Sequence, residues 1–379
     1  MADSSITARI ADGVASLPAA EWDACAGSAN PFVGHAFLSL LERSGSASAP
    51  AGWQPVPVVI TGEDGSIAAC APAYAKSHSQ GEYVFDHAWA DAWERAGGKY
   101  YPKLQVAVPF TPVPGPRLLL REPSRASALI AALEAVTDRH GLSSAHATFV
   151  SEEQLPAFEA AGWLIRQGTQ FHWRNPGYRN FDDFLAALAS RKRKAIRKER
   201  AAAVEGLTIR HLTGGEITEA HWDAFWAFYQ DTGSRKWGRP YLTRAFFSLL
   251  GQDMADKVLL ILAEREGRPV AGALNLIGVD TLYGRYWGCL EDVPFLHFEL
   301  CYYQAMDAAI ARGLTTVEAG AQGEHKLARG YAPVPTWSAH YLPDPAFRRA
   351  VADFLDRERE AVTADRDFLG TMMPFRRGV

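Results

Sequence analysis

The feature that most constrains the fold is a pattern that occurs twice along the chain. An apolar helix face is followed by a strand, a turn that ends in glycine, and a second strand. The first copy occupies 37–41, 56–60, 63–65 and 67–74, and the second occupies 246–250, 258–262, 265–267 and 270–277. Hairpins behind a helix are common, so chance similarity is one explanation. Duplication of one folding unit is the other, and it predicts two similar domains.

The length of the chain also indicates two domains, because 379 residues exceed what one hydrophobic core usually supports. We expect an N-terminal domain over 1–162 and a C-terminal domain over 163–379. In each half, strands alternate with helices and with antiparallel hairpins. This order predicts a mixed α/β (α+β) fold class.

Several functional classes find no support in the sequence. The N-terminal segment lacks the charged and apolar regions of a signal peptide, and no apolar run is long enough to span a bilayer. The four cysteines form no CxxC pair and no metal-binding spacing. We therefore expect a cytoplasmic protein with no structural disulfide, metal or tightly bound cofactor. The net charge of −4 means that any polyanion must be held by a local basic patch.

Such a patch occurs on a predicted helix over 181–204. Asn180 is a suitable N-cap, and 191–200 contains seven cations in ten residues. Arg191, Arg193, Lys194 and Arg197 are the residues that we expect to contact tRNA phosphates. An anionic lipid surface, or a solvated helix paired with acids elsewhere, are the alternatives.

A polar loop after a predicted buried strand carries the residue types that acyl transfer to an amine requires. Glu318, Glu324 and His325 are candidate bases, and Lys326 and Arg329 are candidate anion-binding cations. Nearby glycines allow the backbone to approach a ligand. A solvated glycine-rich loop without a ligand is the alternative interpretation.

The preceding helix and strand supply further candidates. Glu299 and Tyr302 are three residues apart and therefore share a helix face, so Glu299 is a candidate base if it points into the apolar surroundings. Alternatively, it pairs with Arg285 or another cation. Arg285 and Trp287 alternate along a strand and share one face, which lines either a substrate cleft or a packed sheet surface.

Other candidate substrate-binding residues lie in turns. In the first half these are Asp86, Trp89, Tyr101 and Lys103, and in the second half Lys236 lies beside a tryptophan. Aromatic side chains with an acid and a cation suit a flat polar ligand. They are equally typical of core packing with a hydrogen-bonded polar tip.

Three stretches together resemble the bacterial FemAB-like N-acyltransferases of peptidoglycan biosynthesis or recognition. They are 100–104 with 109–112 and 115–118, the basic segment 190–194, and 318–326 with 329–331. The resemblance covers nearly the whole chain. It implies two tandem GNAT-like domains that transfer an acyl or aminoacyl group to an amine acceptor, with Gln322 among the residues that bind substrate.

The resemblance leaves two donors open, acyl-CoA and aminoacyl-tRNA. An acetyl-CoA-dependent GNAT carries a glycine-rich turn whose N–H groups bind the pyrophosphate. At the corresponding place this chain has Glu291 and Asp292. Two acids there favour the aminoacyl-tRNA donor. A non-catalytic module that recognises a cell-wall precursor or nucleic acid is the alternative from a different functional class.

Overall fold

The computed structural model describes residues 7–236, 240–320 and 323–376, without the side chains of 234–236 and 324. The chain divides into two compact units. Unit 1 comprises Met1–Gly168 and Pro335–Ala364, and unit 2 comprises Thr169–Val334 and Asp365–Val379. The division therefore differs from the expected limits, which assigned all of 163–379 to one domain. The chain returns to unit 1 through the end of a strand and most of a long helix.

Unit 1 contains two sheets. The first has the antiparallel order β1 (Thr7–Ile10), β3 (Val58–Thr61), β4 (Ile67–Ala71), β7 (Leu119–Leu120). The second contains β2 (Trp53–Pro55), β5 (Ala73–Lys76), β6 (Lys103–Val106), β8 (Ala145–Val150) and the unit 1 part of β15 (Ala332–Tyr341). In it, β6 and β8 are parallel and the other neighbours are antiparallel.

The helices of unit 1 precede or follow these strands. They are α1 (Ala19–Ala26), α2 (His35–Arg43), α3 (His87–Arg95), α4 (Ala126–Arg139), α5 (Leu155–Ala160) and most of α12 (Pro345–Thr371). Leu129, Ile130 and Leu133 of α4 pack against the apolar face formed by residues such as Val58 and Ala147. Burial of that face is what holds the helices on the sheets.

Unit 2 contains one sheet with the order β10-β11-β12-β13-β14-β9. Its strands are the unit 2 part of β9 (Leu164–Arg174), β10 (Thr208–Thr213), β11 (Val258–Arg265), β12 (Arg268–Ile277), β13 (Thr281–Cys289) and β14 (Thr316–Glu318). Only the β13–β14 pair among these neighbours is parallel in the described residues.

The helices of unit 2 are α6 (Phe181–Ala187), α7 (Ser190–Ala203), α8 (Glu219–Lys236), α9 (Arg244–Asp253), α10 (Leu296–Phe298) and α11 (Gln304–Ala311). The end of α12 (Pro345–Thr371) also belongs to this unit. Its core joins Trp173, Leu259, Leu300 and Tyr303 from strands and helices far apart in sequence.

The repeated pattern is present in both units, with two differences from the prediction. In the first copy the helix is α2 and the antiparallel hairpin is β3–β4. In the second copy the helix is α9 and the hairpin is β11–β12. The strand predicted over 67–74 is split at Pro72, which has no N–H to donate, into β4 and β5 of different sheets. The turns also differ, since the second contains only Glu266 and Gly267, both with positive φ.

The basic segment is likewise two helices rather than one. Asn180 caps α6 as predicted, accepting a hydrogen bond from the Asp183 N–H at 2.9 Å. The helix ends at Ala187 because Leu188 is extended and buried, and forms a β-bridge with Phe375. The Ala189 N–H donates to the Pro374 carbonyl, and α7 then begins at Ser190.

A π-helical turn, Glu299–Tyr303, lies between α10 and α11 and was not predicted. It changes which residues share a face. Glu299 is 1% exposed and binds Arg200, with an Oε1–Nη2 distance of 2.9 Å, and accepts from Gln304. This ion pair is the alternative that the sequence left open for Glu299, with Arg200 rather than Arg285 as the cation.

Arg200 therefore stabilises unit 2. We predict that Arg200→Leu lowers the free energy of unfolding by about 3–5 kcal/mol, because it leaves the Glu299 carboxylate buried without its cation. Arg197→Ala is the matched control, since the Arg197–Asp182 pair is exposed and worth at most about 1 kcal/mol. Urea unfolding measures both. Equal losses in the two variants would contradict a structural role for Arg200.

Candidate functional site

The candidate site lies where two neighbouring strands of unit 2 diverge. β13 and β14 pair over three residues, from Thr281–Thr316 to Tyr283–Glu318. β14 ends at Glu318, whereas β13 continues to Cys289 alongside β12. The sheet is therefore open on one side of β13 from Gly284 onward.

A β-bulge lies at this point of divergence. Leu274 of β12 is opposite Tyr286, but the next residue, Asn275, is opposite Gly284, so Arg285 is an extra residue in β13. Bulges redirect side chains and are frequent next to functional sites. Here the bulge interrupts the simple alternation that the sequence predicted for Arg285 and Trp287.

The opening contains a cavity of about 90 Å³, here called the β13 cavity. Arg285, Trp287 and Tyr302, all predicted from the sequence, line it. Asn275, His297 and Cys301 also line it and were missed. Asn275 had a signal in the sequence, because it is the one polar side chain in the otherwise apolar stretch 270–277 of β12. His297 and Cys301 had none.

Arg285 and Glu318 form a buried ion pair at the edge of this cavity. The Nη2–Oε2 distance is 2.8 Å, and the Arg285 side chain is 1% exposed. Burial raises the pKa of Glu318, and the Arg285 guanidinium opposes that rise. Glu318 is therefore held by a cation, which positions it but competes with its predicted role as a base.

His172 lies on the other side of Glu318, with its Nε2 atom 3.8 Å from Glu318 Oε1. Burial lowers the pKa of His172 to about 3, and the nearby cations Arg174, Arg285 and Lys326 lower it further. The imidazole is consequently neutral at pH 7. It does not act as a second cation for Glu318.

Lys326 is a buried amine whose pKa is influenced by Arg285, a residue that lines the cavity. It is 1% exposed, and its Nζ atom donates to the Gly320 carbonyl at 2.9 Å. Burial lowers the pKa of Lys326 to about 7, and the positive charge of Arg285 contributes to the decrease. A substantial fraction of this lysine is neutral at pH 7, so it can accept a proton.

Tyr302 and His325 form a hydrogen-bonded pair, with 2.9 Å between the Tyr302 hydroxyl and His325 Nε2. Arg329 supports this pair by donating to the His325 carbonyl at 2.8 Å. Its guanidinium also lies 3.4 Å from the centre of the Phe298 ring and binds Glu199 at 2.9 Å. These contacts make Arg329 a residue that positions His325, in contrast to the expected anion-binding cation.

Three predicted residues of the second half have no described side chain. Gln322 lies outside the described residues, and the side chains of Glu324 and Lys236 are not described. Glu324 begins the 3₁₀ helix Glu324–Arg329, which carries Lys326. Roles for these three residues stay predictions.

The predicted residues of the first half form a buried ionic network in unit 1. Lys103 Nζ contacts Asp86 and lies 2.8 Å from both Glu82 and Ser79, and Ser79 in turn contacts the Tyr101 hydroxyl at 2.8 Å. Burial alone would raise the pKa of Asp86, but the Lys103 ammonium outweighs it and holds that pKa well below its usual range.

Trp89 is not part of this hydrogen-bonded network. It packs edge to face against His340, with ring centroids 4.9 Å apart. Asp86, Lys103 and Trp89 are buried, whereas Tyr101 is partly exposed. Substrate binding by these four residues stays a prediction.

The basic helix α7 presents most of its cations to solvent, with Arg200 as an exception. Arg191, Lys194 and Arg197 are exposed, and Arg193 is partly buried. Arg197 lies 3.2 Å from Asp182. Within 7–236, 240–320 and 323–376, no acidic side chain forms an ion pair with Arg191, Arg193 or Lys194. The cations needed for a polyanion are therefore available.

In the described part of the chain, no group of three or more histidine, cysteine, aspartate or glutamate residues could hold a metal ion. No helix in the same residues is both long and apolar enough to cross a membrane.

Comparison with known proteins identifies the family. A family model described as peptidoglycan biosynthesis/recognition, FemAB-like, matches residues 13–377. The chain belongs to the FemAB-like family. Comparison with curated proteins found no match to this chain.

Solved structures share its fold at low sequence identity. FemX matches with a TM-score of 0.53 and 12% identity over 89% of this chain and 98% of FemX. The C-terminal domain of a putative lysylphosphatidylglycerol synthetase from Agrobacterium fabrum matches with a TM-score of 0.53 and 11% identity, over 89% of this chain and 95% of that domain. L-PGS from Bacillus licheniformis matches with a TM-score of 0.51 and 12% identity, over 86% of this chain and 98% of L-PGS. The predicted mixed α/β fold class is confirmed, and family membership supports acyl or aminoacyl transfer in general.

The lowered pKa of Lys326 predicts a pH-dependent stability. Its ordinary value of 10.5 falls to about 7 in the folded protein, so the unfolded chain binds more protons between these values. The free energy of unfolding should therefore rise with pH in this window by roughly 1 kcal/mol per pH unit relative to Lys326→Met. Urea unfolding of both proteins at about pH 7.5 and 9 tests this. Parallel pH profiles would show that Lys326 keeps an ordinary pKa.

Proposed function

We propose that this protein transfers an aminoacyl group from an aminoacyl-tRNA to an amine, with the chemistry at the β13 cavity. The observation that carries the proposal is the buried Lys326, whose pKa is about 7, near a small cavity where the sheet opens. The positive charge of Arg285, which lines the cavity, contributes to that lowered pKa. A buried amine of this kind is suited to proton transfer near neutral pH.

The reaction needs few groups. The acceptor amine attacks the carbonyl carbon of the aminoacyl ester and loses a proton as the C–N bond forms. Neutral Lys326 accepts that proton. The resulting ammonium then donates it to the ribose oxygen as the C–O bond breaks, so Lys326 returns to its starting state. The buried Arg285 guanidinium stabilises the negative charge that develops on the carbonyl oxygen.

Two features favour tRNA over CoA as the carrier of the acyl group. The exposed cations of α7 suit a phosphate backbone. The turn that precedes α10 is a poor pyrophosphate site, because Pro294 supplies no N–H and Asp292 is exposed there. Glu291 in the same turn pairs with Arg265 and Arg268 at 3.0 and 3.2 Å, so its charge is partly neutralised.

The identity of the acceptor is inferred from the family description, not from the residues of the cavity. The family description names peptidoglycan, and FemX shares the fold. We propose a peptide amine of a peptidoglycan precursor as the acceptor.

Donor binding is the test that separates the two carriers. Charged and uncharged tRNA and a panel of acyl-CoAs are titrated into the protein at two salt concentrations. Arg191→Ala with Lys194→Ala should weaken tRNA binding and reduce the slope of log K against log salt by roughly 1.5. The control variant carries Arg349→Ala and Arg357→Ala, which remove two exposed cations of α12. It should leave the tRNA affinity and the salt slope unchanged. Saturable binding of acyl-CoA without affinity for tRNA would make this a CoA-dependent enzyme.

The role of Lys326 predicts the pH dependence of turnover. In the wild type, kcat/KM should rise with pH through about 7, because the neutral amine is the base. Lys326→Met should lower kcat by about 10²–10⁴ with unchanged tRNA affinity. Lys326→Arg keeps the charge but cannot release the proton, so it should be equally slow. An active Lys326→Arg variant would exclude Lys326 as the base.

A further inference from the structure

Asn275 places an uncommon group beside the β13 cavity. It lies in the centre of β12 and is fully buried. Its Nδ2 atom donates to the carbonyl oxygens of Leu259 at 3.3 Å and Ala273 at 3.4 Å. Since carbonyl oxygens only accept, these contacts fix the orientation of the amide and direct Oδ1 elsewhere. Within the described part of the chain, no donor reaches Asn275 Oδ1.

Gly284 leaves space next to that oxygen. A methyl group added to Gly284 would lie 3.2 Å from Asn275 Oδ1 and 3.3 Å from the backbone carbonyl oxygen of Glu318. The conformation of Gly284 is one that other residues adopt, so its small size, not its backbone freedom, distinguishes it. Two acceptor oxygens thus converge on a niche, formed by Asn275, Gly284 and Glu318, that a side chain would fill.

We propose that this niche binds the α-amino group of the aminoacyl donor, an inference that rests on the proposed function. Asn275 Oδ1, which no donor reaches in the described residues, is complementary to a ligand that supplies N–H groups. An α-amino group is one bond away from the carbon that bears the reacting carbonyl. Binding it in the niche fixes the direction in which the carbonyl faces Arg285 and the attacking amine.

The charges around the niche suit an amine that is not strongly basic. Its two oxygens carry no formal charge, while Arg285 is a nearby cation and Lys326 becomes one when it accepts a proton. The α-amino group of an amino-acid ester is a weaker base than a lysine amine, so it can enter in its neutral form. The acceptor amine is a poorer occupant, because its lone pair must point at the carbonyl carbon. The cavity of about 90 Å³ also suits one small acyl group.

The consequence is selectivity between classes of donor. An acyl group without an α-amino group leaves Asn275 Oδ1 buried without a partner, whereas an aminoacyl group satisfies it. Sites built to bind a polar group reject analogues that lack it far more strongly than apolar pockets reject a missing methylene. The niche therefore selects aminoacyl donors over simple acyl donors of the same shape.

The test compares two esters of the same tRNA, alanyl and propionyl, which differ in the α-amino group. Wild-type protein should use the alanyl ester with a kcat/KM at least about 10²-fold higher. Asn275→Leu should reduce this ratio to below about 10-fold, mainly by slowing alanyl transfer. Gly284→Ala, which fills the niche, should slow alanyl transfer as well. Gly215→Ala, where an added methyl meets nothing, is the matched control and should behave as the wild type.

The outcomes separate this inference from the proposed function. Equal use of both esters by the wild type overturns the niche while leaving aminoacyl transfer intact, and that result needs no variant to fold. Undiminished selectivity in a folded Asn275→Leu protein also overturns it. If Asn275→Leu and Gly284→Ala change only the KM for the acceptor, the niche binds the acceptor amine, which contradicts the inference. Absence of transfer from either ester refutes the proposed function and the niche together.

Discussion

The buried ion pair between Arg285 and Glu318 is the interaction on which the candidate site depends. It joins β13 to the end of β14 just where the two strands stop pairing. Arg285 reaches Glu318 because the bulge adds one residue to β13. A buried pair of this kind is costly to break, since either partner alone would be an uncompensated charge. The pair therefore holds the opening of the sheet in one geometry.

The same pair sets the electrostatics of the neighbouring groups. The Arg285 charge contributes to the lowered pKa values of Lys326 and His172, in each case after burial. Glu318 neutralises Arg285 without leaving an exposed carboxylate. The result is a cavity lined by one fixed cation, Arg285, and the uncharged Asn275 amide, with the buried Lys326 amine, whose pKa is about 7, within the electrostatic influence of Arg285. These are the groups that transfer of an aminoacyl ester to an amine requires.

The sequence predicted the fold class and several cavity residues because their signals are local. The helix-and-hairpin pattern, the Asn180 cap and the polar loop after a buried strand are each read from neighbouring residues. The split of β4 from β5 was also foreseeable from Pro72. Arg285 and Trp287 were found from their alternation along one strand, Tyr302 from its spacing on a helix, and Lys326 from the polar loop that follows a buried strand.

What the sequence did not predict depends on contacts between distant segments. The return of 335–364 to unit 1 is a property of tertiary packing. The break at Leu188 depends on Phe375 and Pro374, nearly 190 residues away. The pairing of Glu299 with Arg200 depends on the π-helical turn. The bulge that brings Arg285 to Glu318 and places Gly284 opposite Asn275 arises from the register of β12 and β13.

The central claim is that the β13 cavity holds the aminoacyl end of a tRNA, and Cys301 allows it to be tested directly. Cys301 lines the cavity and is partly exposed, whereas Cys25 and Cys70 are buried. The rate at which a small thiol reagent alkylates Cys301 can be followed by mass spectrometry, with Cys289 as the internal reference. Aminoacyl-tRNA should protect Cys301 at concentrations where uncharged tRNA does not. Equal alkylation with and without aminoacyl-tRNA, or protection by acyl-CoA alone, would contradict the account.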